Sequence, residues 1–450
     1  MPLEPWMRIG QPLEHVMDDY LRVFDAWEAG GIRGLVVGRM LFRRDDDAVA
    51  DYYGQDNVVP AFPAKPEAYR DRGMEVGNDD AGRDLDKEKR LHAMFDEAKN
   101  RGWRLWIFTP TGRTPASRAS DAEPDRYGAR HLAAVWDEVF SAFPQVEGGI
   151  MDGWAEAPYY PVAVFDEMND GKRAQAEARG YDVGRLDRGR LHLKNRFASF
   201  TPAMVRYYGA GGVLAEMNLF DVNEDAVYWL RWRREDGIRT GQAARRELDA
   251  LSRPLLLGNG PRSALFSGMT GLDFSAWDEI LDLLLVKHYF WHRGFDGMYG
   301  TIASWVRQVQ AWNPGLSESD CFTVVRAWLG VDLPGVESLA DMNLGFPQEF
   351  FDELVYEETR RALAAASEAG KVVPWVDTGR MPHRGDPMTA GDLHRILQAS
   401  EAAGLQRFLF HNHDHLTAAE WEVISRLCGT QWDENENGYW PPNSPRPSRH

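Results

Sequence analysis

A chain of 450 residues with a net charge of −18 is long enough for a large core and poorly suited to gripping a phosphate backbone. Its two cysteines, Cys321 and Cys428, lie far apart with no C-x-x-C spacing, which argues against a disulfide framework and a cysteine-only metal site. No stretch approaches the roughly 20 apolar residues that span a bilayer, and the first residues lack a basic segment followed by an apolar run, so the expectation is a cytoplasmic protein without a membrane or nucleic-acid partner.

Short β-rich apolar runs recur along the chain, most of them followed by a helical pattern, which is the order of βα units. The first is Gly34-Leu35-Val36-Val37-Gly38, followed by a long polar loop and a helix over Leu85–Asn100. The second is Trp103-Arg104-Leu105-Trp106-Ile107-Phe108, with a helix from Ala129 to Phe143, and the third is Gly148-Gly149-Ile150-Met151-Asp152. A charged, helix-compatible stretch leads to a fourth run at Gly212–Leu219, although Val213-Leu214-Ala215-Glu216-Met217 also suits a helix. Asn223-Glu224-Asp225 reads as the cap of the helix that follows.

The remaining runs are Leu255-Leu256-Leu257-Gly258-Asn259, Leu283–Phe290, Val372-Val373-Pro374-Trp375-Val376-Asp377 and Arg407-Phe408-Leu409-Phe410-His411. Thr417-Ala418-Ala419-Glu420 spells a capping box for a last helix. Eight runs are the number a closed ring needs. The expected fold is therefore α/β, a (β/α)8 TIM barrel over residues 1–430, with a long loop after the first run and a helical insertion between the sixth and seventh. The proline-rich residues 431–450 are expected to form a partly disordered tail.

In such a barrel, functional groups stand at the C-terminal ends of the strands. That rule selects Asp152 with Trp154, Glu156 and Tyr159 beside it, Glu216 near the fourth run, and Asn259 after the fifth. It also selects Lys287, His288, Tyr289 and Trp291 at the sixth, Trp375 and Asp377 at the seventh, and His411 at the eighth. Acids beside aromatic rings suit glycoside hydrolysis, in which one carboxyl protonates the leaving oxygen and another attacks or activates water. Asp152 and Asp377 are the leading carboxylates, with Glu156 and Glu216 as substitutes. Asp152, followed by glycine, fits the nucleophile or base, and Asp377 beside Trp375 fits the drier acid. Trp154, Tyr159, Asn259, Lys287, His288, Tyr289, Trp291, Trp375 and His411 would hold the sugar.

The spellings Gly149-Ile150-Met151-Asp152-Gly153, Val286-Lys287-His288-Tyr289-Phe290-Trp291 and Val373-Pro374-Trp375-Val376-Asp377 resemble those of poorly characterised bacterial glycoside-hydrolase-like (β/α)8 proteins. The likeness runs from about Gly31 to Cys428, and its motifs are short. It implies a barrel with sugar-directed carboxylates, one of them at Asp152, acting on an oligosaccharide or glycoside. The chain departs from many retaining barrel glycosidases in having no Asn-Glu-Pro after the fourth run, which leaves the acid/base assignment open.

Two other readings compete. Neutral imidazoles at His288, His411 and His413 would make a metal-dependent hydrolase, and a barrel that has lost a carboxylate would bind sugar without cleaving it. No Gly-x-Gly-x-x-Gly and no phosphate loop is present, so no nucleotide cofactor is expected, and the carbohydrate reading needs no metal. A homodimer is compatible with the aromatic insertion. The loop with Arg43, Arg44, Asp45, Asp46 and Asp47, and the Gly330–Phe346 segment, would shape the cleft.

Overall fold

The computed structural model describes residues 2–10, 13–38, 40–41, 57–58, 65–76, 83–110, 124–209, 211–290, 297–344, 347–376, 389–410, 413 and 416–433. Eight parallel strands make its centre: β1 Glu4–Ile9, β2 Gly34–Val37, β3 Arg104–Phe108, β4 Gly148–Asp152, β5 Leu256–Gly260, β6 in two pieces Leu283–Leu284 and Lys287–His288, β7 Trp375–Val376, and β8 Arg407–Phe410. β1 pairs with β2 on one side and with β8 on the other. The first piece of β6 pairs with β5 and the second with β7. Backbone bonds run both ways from the same segment: Leu285 N–H donates to the Asn259 carbonyl, and Trp375 N–H donates to that of Val286. The ring is therefore closed, and the expected TIM-barrel-like α/β fold is the one found.

One expected strand is overturned and one unexpected strand takes its place in the count. The ring begins at Glu4–Ile9, a segment the apolar runs did not reveal, because Glu4, Pro5 and Arg8 interrupt its hydrophobicity. Its alternation is nevertheless that of a strand: Trp6 faces the barrel interior, while Met7 and Ile9 face the outer helices. The run at Gly212–Leu219 is instead a helix, Val213–Leu219. Leu219 is buried while Val213 and Leu214 are 69% and 75% exposed, so only one side of the segment meets the core. A strand buried in a barrel would have covered both faces. With β1 counted, Asp152 ends the fourth strand of the ring and not the third.

The interior is a packed apolar column containing Trp6, Val36, Trp106, Phe108, Ile150, Leu283, Leu285, Tyr289, Val373, Trp375 and Leu409. It is separate from the larger core between strands and helices. Most of the aromatic richness belongs to packing, since nine tryptophans of the 17 are among the largest fully buried side chains.

Helix starts follow the local spelling. Asp84 caps Leu85–Asn100, Asn223 caps Glu224–Asp249 and Thr417 forms a capping box on Ala418–Cys428. Two helical excursions enlarge the barrel, one between β4 and β5 and one between β6 and β7. They pack on each other through Phe197, whose ring lies 5.4 Å from Trp305 and 5.1 Å from Trp328. Asn313 fastens the same joint, accepting from Phe200 N–H and donating to the Phe197 carbonyl. Among the described residues no helix is long and apolar enough to cross a membrane.

Candidate active site at the mouth of the barrel

Strand alternation decides which side chains reach the mouth. In β4, Ile150 points inward, and so does Asp152 two residues on. In β6 the inward set is Leu283, Leu285 and Tyr289, which places Lys287 inward as well. The two meet: Lys287 Nζ lies 2.7 Å from Asp152 Oδ1, with the lysine side chain 3% exposed and the aspartate 30%. An ammonium so deeply buried requires a carboxylate partner, and the partner here opens onto solvent. Ser263 Oγ donates to the Lys287 carbonyl and fixes the strand end beneath.

Apolar rings and one more cation form the floor. Trp375 packs edge-on against Phe108 at 4.8 Å, and Tyr289 stands 6.5 Å from Trp375. The Arg8 guanidinium, buried at the end of β1, lies 4.5 Å from the Phe108 ring and 5.4 Å from that of Trp375. Arg8 Nε donates to the Gly38 carbonyl. Gly260 is closely surrounded here: a Cβ on it would be in ordinary contact, at 3.7 Å, with both Asp152 Oδ1 and Trp375 Cε3.

The loop after β4 is bolted to β5 and its following loop. Gly153 N–H donates to the Gly260 carbonyl, and Ala157 N–H to that of Thr270. Asn259 points outward from β5 and is fully buried; its Oδ1 accepts from Trp154 N–H and its Nδ2 donates to the Trp154 carbonyl. Gly153 at φ +55 and Ala155 at φ +63 bend the chain back on itself, a conformation that costs a non-glycine residue about 1 kcal/mol. Glu156 is thereby folded over Gly153, whose Cβ would come within 3.1 Å of its Oε2.

Glu156 is the second carboxyl of the site. Its side chain is 5% exposed, Arg262 N–H donates to its Oε1 at 3.0 Å, and the Arg262 guanidinium lies 3.9 Å away. Burial pushes its pKa up, and the Asp152 charge adds to that, against the lowering pull of Arg262 and Lys287. Two carboxyls four residues apart thus occupy opposite environments, one salt-bridged at the opening and one dry beneath the loop.

The other expected residues divide. Trp154 packs edge-on against Trp277 at 5.9 Å, and Tyr159 lies under the Arg262 guanidinium at 4.9 Å, so both support the loop. Asn259 is spent on the clamp just described. His288 faces away from the mouth: it is fully buried beside Phe290 at 5.1 Å, with neither ring nitrogen bonded, and burial lowers its pKa to about 3. Glu216 stands on the helix Val213–Leu219 and not at a strand end. Asp377, Trp291, His411 and Arg43–Asp47 lie outside the described residues.

His413 accepts from Gly10 N–H through Nδ1, beyond the end of β8 and two strands round the ring from the strand that carries His288. Among the described residues no group of three or more His, Cys, Asp or Glu is arranged to hold a metal ion. Arg8 and the anchoring role of Arg262 were not foreseen. The signal for the first was the alternation Trp6-x-Arg8 in a segment read as having no strand.

No family model and no curated protein sequence matches the chain. Among solved structures, the glycoside hydrolase domain of PgaB (BpsB) from Bordetella bronchiseptica is similar at TM-score 0.45 and 8% identity, covering 96% of this chain and 100% of that one. The catalytic domain of β-amylase from Paenibacillus polymyxa gives 0.43 and 11%, covering 95% and 98%. A GH5_18 protein from Streptomyces cattleya in complex with GlcNAc gives 0.40 and 11%, covering 100% and 83%. At these identities and scores the likeness carries no argument by itself, and chemistry has to be argued from the chain's own residues.

Proposed function

We propose that the chain hydrolyses a glycosidic bond at the mouth of its barrel. The observation that carries this reading is the pairing of unlike carboxyls: Asp152, salt-bridged to Lys287 and open to solvent, and Glu156, buried with its pKa raised. Glycoside hydrolysis needs one carboxylate and one carboxylic acid at the same pH, and environments that push two acids apart supply them. Asp152 serves as nucleophile or base, with the Lys287 ammonium fixing the carboxylate. Glu156 is the proton donor to the leaving oxygen, its proton retained by desolvation. Trp375, Phe108 and Tyr289 pack as a buried apolar floor beneath the Asp152–Lys287 pair, so the sugar meets Asp152 on its solvent-open side. Asp377, the partner expected from the sequence, keeps its place as the alternative acid because it follows β7 directly.

The test is hydrolysis of a panel of aryl glycosides and oligosaccharides by wild type, Asp152→Asn, Glu156→Gln and Asp377→Asn, each with and without chelator. Cleavage that survives chelation and falls about 100-fold or more in Asp152→Asn and Glu156→Gln supports the assignment. A loss confined to Asp152→Asn and Asp377→Asn would hand the acid to Asp377. Cleavage abolished by chelator would remove the two-carboxylate reading altogether.

A further inference from the structure

A cleft of about 380 Å³ opens behind the loop that carries Asp152 and Glu156, and Glu156 is among the residues that line it. Its walls are the loop itself, the stretch 163–175, and the helix Glu224–Asp249. Val164, Met168 and Trp232 give it an apolar bed, while Asn169, Gln175 and Asp236 supply polar groups around them. That mixture and that volume are those of a small-molecule site, which spans about 300–1,000 Å³.

The cleft is built, not left over from loose packing. Arg233 is 5% exposed and donates to the carbonyls of Pro158, Val164 and Met269, so one guanidinium ties the three walls together. Asp236 is held in place by Lys172 and Arg179. Trp232 is 7% exposed, and its indole N–H is buried with no acceptor.

We infer that this cleft is a binding site for a neutral sugar ring, receiving the part of the substrate that departs when Glu156 delivers its proton. The inference rests on the glycosidase reading for the word departs, and on the cleft alone for the sugar. Ring C–H faces suit the apolar bed, and hydroxyls suit the amides and the carboxylate. Charge selects among sugars: among the lining residues Asp166, Glu167 and Asp236 outnumber Lys172 and Arg233, which disfavours a uronic acid or a phosphorylated ring.

Two cleft-filling variants from opposite walls, Ala163→Trp and Thr240→Trp, test this in the full chain. Each is assayed on an aryl glycoside and on the matching neutral oligosaccharide that wild type cleaves. The ratio of kcat/KM for the oligosaccharide over that for the aryl glycoside should fall at least tenfold, through KM, in whichever fillers fold. An unchanged ratio in folded fillers overturns the inference. If wild type cleaves nothing, saturation-transfer NMR with cellobiose, chitobiose and maltose still decides the sugar part. Transfer that disappears in the fillers upholds a sugar cleft while the hydrolase reading fails. Absence of transfer to wild type, or transfer that the fillers leave intact, removes the cleft from consideration.

Discussion

Lys287 Nζ lies 2.7 Å from Asp152 Oδ1, joining the end of β6 to the end of β4 across the barrel mouth. The pair is asymmetric, because the lysine side chain is 3% exposed while the aspartate is 30% exposed. Removing the acid therefore takes a charge partner from a buried cation, whereas removing the lysine leaves an acid that water still reaches. Asp152→Asn should cost about 1–3 kcal/mol of stability, below the range for fully buried pairs because solvent screens the aspartate. Lys287→Met should cost less in urea unfolding while lowering kcat at least tenfold. Equal stability losses in the two variants would contradict the asymmetry.

Asn259 and Trp154 form the hinge pin of the site. The Asn259 amide takes both backbone groups of Trp154, midway between Asp152 and Glu156. Asn259→Ala leaves a buried N–H and C=O without partners, at about 1–3 kcal/mol each. Asn259→Asp keeps an acceptor for the N–H but loses the donor to the carbonyl, and should fall between wild type and alanine. Because the clamp sets two carboxyls at once, activity should decline through kcat more than KM. A loss of stability with unchanged kcat would make the clamp purely structural.

The barrel was legible in the sequence because its strands are short apolar runs separated by helical patterns, and seven of the eight read directly. The right total came from two misreadings that offset each other. Glu4–Ile9 was hidden by proline and charge, and Val213–Leu219 carries β-compatible residues on a helix whose exposed side is apolar. Parity set the limit at the site. Lys287 and His288, or Asn259 and Gly260, are neighbours in sequence and opposite in direction, and only pairing in the ring says which of each faces the mouth. Composition alone ranked Lys287 and His288 together, and chose Asn259 where Gly260 faces the mouth. Glu156 was a substitute candidate because nothing in its spelling reveals that the positive φ at Gly153 and Ala155 folds it back into a dry place.

His288 makes the fold sensitive to acid. Its folded pKa is lowered to about 3 by burial alone, against about 6.5 in an unfolded chain. The unfolded state binds the proton first, so the stability His288 leaves intact above pH 6.5 is lost as pH falls from there towards 3. At pH 5 the loss amounts to about 2 kcal/mol. His288→Leu gives up no hydrogen bond, since neither ring nitrogen has one. Relative to wild type, this variant should gain stability at pH 5 that it does not gain at pH 8, measured by urea unfolding at both. A gain of equal size at the two pH values would mean that packing, and not protonation, separates the proteins.

Glu156 has the opposite sign and should appear in the rate as well as in stability. Its folded pKa is raised, chiefly by desolvation, so the folded state holds the proton more tightly than the unfolded one. Its favourable contribution is complete below the unfolded value and is lost as pH rises through the folded one. Glu156→Gln, which keeps the shape without the charge, should therefore lose ground to wild type in acid and regain it towards neutrality. As proton donor, Glu156 must also be protonated to act, which makes it the alkaline limb of the kcat/KM profile. Lys287→Met removes a positive charge that lowers this pKa, and should move that limb to higher pH. Arg262 bears on the same carboxyl more strongly, so Arg262→Met should move the limb further in the same direction. If both variants leave the limb in place while Asp377→Asn abolishes it, the proton comes from Asp377, and Glu156 only braces the loop after β4.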